Sequence, residues 1–243
     1  YSIISYQCAW LFNYYPVEWM ASFLDKEPES RKEKAINIAK KMGFRIQPLD
    51  INTSGVEWEI GEDNNTLIQP FTSVKGVGEA AIQQIVNNRP FENIDDFLFN
   101  ENVSYSKLNK KVVDVLVRSQ ALNCLVDDRF TGLKHFWSAV AVDRPKNKKR
   151  FAENIELYQP EGDFTVEEKI EYLVNLTGVF PMDLVLDRGI LEKLENYAVP
   201  PLGNYDADLE VAWFVPREVI SKTTKNGKTY WIVRVTDSTS TMT

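Results

Sequence analysis

The amino-acid sequence predicts a mainly α-helical chain with small β elements, and two patterns carry this prediction. Before Pro200, apolar residues recur at helical spacing over most of the chain, and proline or glycine stands where one helix would end and the next begin. After Pro201, runs rich in valine, isoleucine, tryptophan and phenylalanine favour strands. We therefore expect several helical units followed by a small β piece.

Three helices are predicted at the N-terminal end. Apolar side chains fall at helical spacing over residues 2–12, and Pro16 then marks the first turn of a second helix that runs to about Leu24. A third helix follows Pro28 and ends at Gly43. Each of these boundaries is set by a residue that either fits a first helical turn or ends a helix.

A short hairpin and a longer helical region are predicted next. Residues 44–46 and 56–60 have the composition of short strands, and residues 61–65 have turn composition before Thr66-Leu67-Ile68. From Phe71 to about Leu125 the pattern is helical with short breaks. A β hairpin is therefore expected directly before the helical region.

From Asp143 onward the chain alternates between predicted loops and helices. Residues 143–149 are charged and contain a proline, and residues 158–163 contain both proline and glycine, so both stretches predict flexible connections. Helical periodicity returns over residues 166–176 and again over residues 188–197.

A β hairpin is predicted close to the C-terminal end. Residues 209–220 and 230–235 are rich in valine, isoleucine and aromatic residues. Lys225-Asn226-Gly227-Lys228 lies between them and predicts an Asn-Gly turn. Because two or three strands cannot close a barrel, we expect this β piece to be incomplete.

Composition and the few cysteines narrow the classes of protein. The hydrophobic share of 44% and the charged share of 26% lie in the globular range. No apolar run reaches the roughly 18 residues that a membrane span requires. Cys8, Cys124 and the single histidine, His135, show no metal-ligand spacing. We expect a cytoplasmic protein with reduced cysteines in packed positions, no metal site and no membrane partner.

The net charge of -7 argues against an evenly basic surface, which is the simplest arrangement for binding nucleic acid. Any DNA contact must therefore be local. Solvated surface is the alternative role for each of the basic clusters, which are Lys107, Lys110, Lys111 and Arg118, then Arg144, Lys146, Lys148, Lys149 and Arg150, then Lys222, Lys225 and Lys228.

The sharpest local signal is the segment from Val74 to Ile82. Within it, Lys75-Gly76-Val77-Gly78 forms a Gly-x-Gly turn that opens a helix with an apolar face. Two glycines would let the backbone take positive φ and approach a phosphate closely, while amides at the helix N-terminus point outward. Lys75 adds a positive charge beside that position. This pattern resembles the helix-hairpin-helix motif, and the alternative is an ordinary tight turn between two helices.

A weaker second copy of this pattern follows. Lys107, Asn109, Lys110 and Lys111 precede an apolar helical run, but the turn contains no glycine pair. Taken alone, the segment predicts a basic amphipathic helix. Because it comes soon after the first hairpin, we interpret it as the second half of a tandem pair that follows the backbone of a DNA duplex.

The order of these elements resembles the C-family replicative DNA polymerases, of the bacterial DNA polymerase III alpha-subunit type. The resemblance is strongest over residues 1–125, thin over residues 127–166 and moderate beyond them. The segments that carry it are Ser5-Tyr6-Gln7 with Tyr15-Pro16, Met42-Gly43 with Asp50-Ile51-Asn52, the two hairpin segments, Leu176-Thr177-Gly178 with Pro181, and Lys225-Asn226-Gly227-Lys228.

The resemblance implies a domain order for the whole chain. Residues 1–52 would be the C-terminal part of the fingers, and residues 53–142 a tandem helix-hairpin-helix domain that binds duplex DNA and a sliding clamp. Residues 143–165 would be a linker with a clamp-binding peptide, and residues 166–204 a helical connector. Residues 205–243 would form a partial OB-like domain.

The same resemblance implies site residues outside the hairpins. Tyr1 would lie near the incoming nucleotide, and Asn154-Ile155-Glu156-Leu157-Tyr158 would be the clamp-binding peptide, with asparagine and tyrosine where the family typically has glutamine and phenylalanine. Lys222, Lys225 and Lys228 would contact phosphates of a single strand. Tyr230 and Trp231 would offer stacking surfaces there, or barrel core instead.

The resemblance also implies what this chain would not supply. Family polymerases hold two Mg²⁺ ions on paired palm aspartates. No segment here matches them, and Asp206 and Asp208 are interpreted as an acidic loop. We therefore expect no catalytic residue and no cofactor in this chain, with primer–template DNA, a clamp and the remaining polymerase domains or subunit as partners. The alternatives are a non-enzymatic repair or recombination protein with helix-hairpin-helix and OB modules, and a protein–protein module.

Overall fold

The structure, a computed structural model, describes residues 1–158, 162–204, 211–237 and 241–242. Its described part is mainly helical and contains two small sheets, which confirms the predicted fold class. Backbone contacts divide the chain into two compact units. The first comprises Tyr1–Glu27 and Phe44–Phe180, and the second comprises Pro28–Gly43 and Pro181–Thr243.

The first unit begins with two helices of unequal burial. Helix α1 spans Ser2–Tyr14 and has no buried residue, whereas α2 spans Pro16–Lys26 and buries Met20, Ala21 and Leu24. Pro16 occupies the first turn of α2, as the sequence predicts, because proline lacks the N–H that would stay unpaired there.

A three-stranded sheet follows in the first unit. Strands β1, β2 and β3 span Arg45–Gln47, Glu59–Ile60 and Thr66–Ile68, with β3 parallel to β1 and antiparallel to β2. The β2–β3 connection confirms the predicted hairpin. Asp63 holds its turn, because its Oδ1 accepts hydrogen bonds from the amides of Asn65 at 3.0 Å and Thr66 at 2.8 Å.

The core of the first unit lies among three helices that carry the hairpin region. Helix α3, at Lys32–Lys41, belongs to the second unit. The three helices are α4 at Glu79–Asn88, α5 at Ile94–Phe99 and α6 at Lys110–Arg118. Their apolar faces meet in one cluster that includes Ile85, Phe97 and Leu116, all completely buried. The hairpins are therefore mounted on a packed support.

Further helices complete the first unit. Helix α7 spans Leu133–Trp137 and continues as a π-helical turn over Ser138–Val142, and then come α8 at Lys148–Leu157 and α9 at Val166–Thr177. Thr165 and Glu168 form a reciprocal capping box at the start of α9.

The predicted linker over residues 143–165 contains a packed helix. Residues Lys148–Leu157 form α8, Asn147 caps it by accepting a hydrogen bond from the amide of Arg150, and Phe151 enters the core with 2% exposure. Of the charged residues that suggested a linker, Lys148 and Lys149 lie in the exposed first turn of this helix, whereas Asp143, Arg144 and Lys146 precede it. Composition therefore hid an amphipathic helix.

The second unit contains α3, α10 at Arg188–Asn196 and a three-stranded antiparallel sheet. Strands β4, β5 and β6 span Val215–Thr223, Thr229–Thr236 and Thr241–Met242. The β4–β5 hairpin confirms the prediction, although residues 225–227 form a three-residue loop in which Gly227 carries the positive φ of 76°. In the part of the chain that the structure describes, no helix has the length and apolar content needed to cross a membrane.

Candidate nucleic-acid interface

The first hairpin is an exposed turn with buried apolar anchors. Val74 and Val77 are 4% and 8% exposed, whereas Lys75, Gly76 and Gly78 lie on the surface. The anchors alternate with the exposed residues, so the turn is held from beneath while its backbone faces solvent. The geometry places the sequence-predicted residues Lys75 to Gly78 together at one surface point.

Two contacts fix the conformation of this turn. The amide of Lys75 donates a 2.8 Å hydrogen bond to the carbonyl of Leu176, at the end of α9. Gly76 has a φ of 101°, and a Cβ there would lie 3.2 Å from Cγ2 of Val115 on α6. Position 76 therefore needs glycine both for its backbone and for its close approach to α6.

The turn presents a row of unused amides. Within the described residues, the amides of Gly76, Val77, Gly78, Glu79 and Ala80 donate no hydrogen bond to protein. Helix α4 starts at Glu79, and Gly78 at its N-cap offers no side chain to satisfy these donors. The helix dipole adds partial positive charge at the same place. An anion such as a phosphate can therefore bind here through the backbone, without contact to a base.

The second glycine differs from the sequence-based interpretation. Gly78 has φ -80° and ψ 160°, an extended conformation open to any residue, and a Cβ added there would meet no atom within 4 Å. Positive φ is therefore required at Gly76 and not at Gly78. The space beside Gly78 is open, which is the condition for close approach by a ligand.

The second hairpin is built differently. Helix α6 begins after Asn109, whose side chain accepts hydrogen bonds from the amides of Lys111 and Val112 at 3.0 and 3.2 Å. Because the protein itself satisfies these amides, they are not available to a phosphate. The exposed side chains of Lys107, Lys110 and Lys111 are the remaining means of binding an anion at this position.

A cleft of about 620 Å³ adjoins the start of α6, and Lys110 and Lys111 are among its lining residues. Arg118 lies inside, with its guanidinium carbon 5.2 Å from the ring centre of Trp137 and 4.8 Å from that of Tyr172. Asp114 accepts a 2.7 Å hydrogen bond from the indole N–H of Trp137, and its Oδ1 lies 3.1 Å from Nε of Arg118. Sequence reasoning noted Arg118 only as part of a basic cluster.

In the second unit, the predicted single-strand contacts lie on the β4–β5 hairpin. Lys222, Lys225 and Lys228 are all exposed. Lys222 is paired with Tyr230 across the strands, so the two side chains share a face of the hairpin, while Trp231 lies on the other face with 65% exposure. Lys222 and Tyr230 could therefore contact the same nucleotide, the lysine at its phosphate and the tyrosine at its base.

Two further predicted sites have contrasting surroundings. Tyr1 and the apolar residues of α1, such as Ile3 at 74% exposure and Tyr6 at 69%, face solvent in the described structure. The segment from Asn154 to Tyr158 falls on the last turn of α8 and its C-cap. There Asn154 is completely buried and donates hydrogen bonds to the carbonyls of Ala139 and Asp143, while Leu157 is 64% exposed.

The candidate metal-ligating side chains lie apart. The described residues contain no group of three histidine, cysteine or acidic side chains that could hold a metal ion. His135 is buried, and its Nε2 lies 2.8 Å from the carbonyl oxygen of Ile155. Cys8 and Cys124 are reduced but exposed, not in the packed positions expected from the sequence. Asp206 and Asp208 lie outside the described residues.

Comparison with known proteins agrees with the hairpin geometry. A family described as the helix-hairpin-helix motif matches residues 43–132. The DNA polymerase III subunit alpha of Vibrio cholerae is 31% identical over 132 residues, which cover 51% of this chain and 11% of that protein. The corresponding subunit of Thermus aquaticus is 34% identical over 134 residues, covering 52% of this chain and 11% of that protein.

A longer match extends beyond the hairpin region. The DNA polymerase III subunit alpha of Escherichia coli (strain K12) is 28% identical over 217 residues, which cover 86% of this chain and 18% of that protein. This chain therefore spans less than a fifth of the length of these relatives. By the sequence it shares with them, this chain is similar to the alpha subunits of bacterial DNA polymerase III.

Proposed function

We propose that this chain is the part of a cytoplasmic replicative DNA polymerase that holds primer–template duplex DNA next to the catalytic domain. The observation that carries the proposal is the row of amides from Gly76 to Ala80 that donate no hydrogen bond within the described residues. A duplex leaving a polymerase must be held without regard to its sequence, and backbone amides that meet phosphate oxygens provide this kind of contact.

The neighbouring helix supports a contact that extends along the duplex. Because Gly76 lies against Val115, the first hairpin packs directly on α6, at whose start Lys107, Lys110 and Lys111 are exposed. We propose that the first hairpin binds one phosphate through amides and that these lysines bind further phosphates of the same duplex as point charges. The Arg118 cleft adds positive charge along this surface.

The remaining predicted contacts are part of the same proposal. Tyr1 and the exposed face of α1 would meet other polymerase domains near the incoming nucleotide, and Lys222, Lys225 and Lys228 would hold single-stranded template. The catalytic aspartates and their Mg²⁺ ions would belong to a palm domain supplied elsewhere, so that nucleotidyl transfer is an activity of the assembled enzyme and this chain alone is inactive.

We propose that the C-terminal end of α8 binds the sliding clamp while the helix stays folded. The exposed Leu157 and the adjacent Tyr158 would enter an apolar pocket on the clamp, because an aliphatic and an aromatic anchor are typical of such contacts. Asn154, Ile155 and Glu156 would stay helical, since buried Asn154 ties α8 to the carbonyls of Ala139 and Asp143.

Duplex binding measured at several salt concentrations tests the central proposal. We expect an affinity that falls steeply with salt and does not depend on base sequence. A second assay, in which the chain is mixed with a palm-containing partner and primer extension is measured, separates a polymerase segment from a stand-alone DNA-binding protein. Absence of duplex binding at low salt by the folded chain would contradict the proposal.

A further inference from the structure

A second basic cleft lies in the first unit. It has a volume of about 450 Å³ and lies between Tyr105 and the region where the chain enters α8. Its charged lining residues are Asp143, Arg144, Lys146, Lys149, Arg150 and Glu153. The sequence marks Arg144, Lys146, Lys149 and Arg150 as a basic cluster with solvated surface as its alternative role, and the interface described above does not include this cluster.

Arg144 lines this cleft, and its guanidinium group is buried without a full set of hydrogen-bond partners. Its side chain lies over the ring of Tyr105, with 4.1 Å from the guanidinium carbon to the ring centre, and Nη1 donates a 3.0 Å hydrogen bond to the carbonyl of Tyr105. The residue is only 4% exposed. Within the described structure, its buried Nε and Nη2 have no hydrogen-bond partner.

The two unpartnered nitrogens form the edge of the guanidinium that binds oxyanions. The N–H groups of Nε and Nη2 point in nearly the same direction, so they can donate side by side to two oxygens of one phosphate. Leaving such donors buried and unmatched costs free energy, and an anion in the cleft would offset that cost. The orientation of Arg144 is already fixed by Tyr105, so little order is lost on binding.

The acidic side chains of the cleft do not neutralise it. Nη2 of Arg150 lies 2.5 Å from Oδ2 of Asp143, and its Nη1 lies 3.2 Å from Oε2 of Glu153. Arg150 therefore satisfies both carboxylates. In the described part of the chain, Arg144, Lys146 and Lys149 form no ion pair. The cleft keeps a surplus of positive charge around the unpartnered edge of Arg144.

We propose that this cleft is a second phosphate-binding site, which takes a phosphodiester of the bound DNA duplex other than the one at the first hairpin. The inference rests on the proposed function for its choice of DNA as the partner. Arg144 would donate to two phosphate oxygens, and Lys146 and Lys149 would add point charges at the rim. Such a site would give the duplex a second point of attachment and thereby restrain its direction.

The test compares two neighbouring lysines of α8 in the full chain. Lys149 lines the cleft, whereas Lys148 is exposed and does not, so Lys149→Gln and Lys148→Gln remove the same charge at adjacent positions. We expect Lys149→Gln to weaken duplex binding roughly threefold to tenfold at low salt and to reduce the salt slope by about one, with a clearly smaller effect of Lys148→Gln. Equal effects of the two variants would overturn the proposal.

Two additional measurements distinguish the possible ligands and failures. Inorganic phosphate, compared with chloride at equal ionic strength, should raise the melting temperature of the wild-type chain more than that of an Arg144→Met variant. If phosphate protects in this way but Lys149→Gln leaves duplex affinity unchanged, the site serves a free phosphate and the DNA assignment is overturned. If hairpin variants lose duplex binding while both lysine variants keep it, the proposed function stands and this inference fails.

Discussion

Gly78→Asp is the substitution that separates the hairpin's role in binding DNA from its role in folding. Position 78 is the N-cap of α4, has an extended backbone and has open space where a Cβ would be added. An aspartate can therefore fit without strain. Its carboxylate would accept hydrogen bonds from the amides that now face solvent, and it would also place a negative charge where a phosphate is proposed to bind.

The expected effects on stability and on affinity have opposite signs. Aspartate is a better N-cap than glycine by a few tenths of a kcal/mol, so the free energy of unfolding should stay constant or rise slightly. Hydrogen bonds to a charged group contribute about 1.5 to 3 kcal/mol, so loss of the amide–phosphate contact should weaken duplex binding by about tenfold to a hundredfold. A merely damaged fold would lower both quantities together.

The assay measures duplex affinity by fluorescence anisotropy at several salt concentrations, with thermal unfolding of the same samples. Asn87→Asp is a matched control, because it adds the same charge to an exposed position of α4 that lies roughly 13 Å further along the helix. We expect the control to bind nearly as tightly as the wild-type chain. A Gly78→Asp variant that is folded and binds duplex as tightly as the control would remove the hairpin amides from the DNA contact.

Three further predictions concern structural residues of the first unit. Gly76→Ala should destabilise the chain by about 1 kcal/mol or more, because alanine tolerates a φ of 101° poorly and its Cβ would crowd Val115; chemical denaturation measures this loss. Asn109→Ala should cost about 1 kcal/mol of stability through the lost cap, and duplex binding should fall far less than for Gly78→Asp. Asp63 should titrate with a pKa of about 2, because the amide of Asn65 and the hydroxyl of Thr66 stabilise its charged form; its contribution to stability should be present above about pH 4 and disappear as pH falls through 2, which carboxyl NMR shifts would follow.

Local sequence patterns predicted the features that depend on a few neighbouring residues. Pro16 starts α2, Gly43 has the positive φ of a helix stop, and Gly76 marks a turn that exposes its amides. Each of these outcomes follows from the backbone preferences of one residue type. The first hairpin was therefore recognisable before any tertiary contact was known.

Features that depend on distant contacts were missed. The segment from Lys148 to Leu157 resembles a linker because its first turn is charged, and only the burial of Phe151 and Asn154 against other parts of the first unit makes it a packed helix. The sequence gives no sign that Arg144 differs from the surface cations around it. Its burial depends on the contact with Tyr105, which is far away in sequence. Asparagine at position 109 is a common helix cap, but the sequence does not show that its side chain accepts hydrogen bonds from the amides of the second hairpin.

The contrast between the two hairpins explains how an acidic chain can bind a polyanion. A net charge of -7 repels DNA at long range, so binding must come from groups that act at contact distance. Amides at the start of α4 meet this requirement because they carry no net charge. Two carboxylates of the basic clefts are engaged by protein groups: Asp114 by Trp137 and Arg118, and Asp143 by Arg150. Lys107, Lys110 and Lys111 would neutralise further phosphates, so the affinity for duplex DNA should still fall steeply with salt, whereas the amide–phosphate contact adds little to that salt slope.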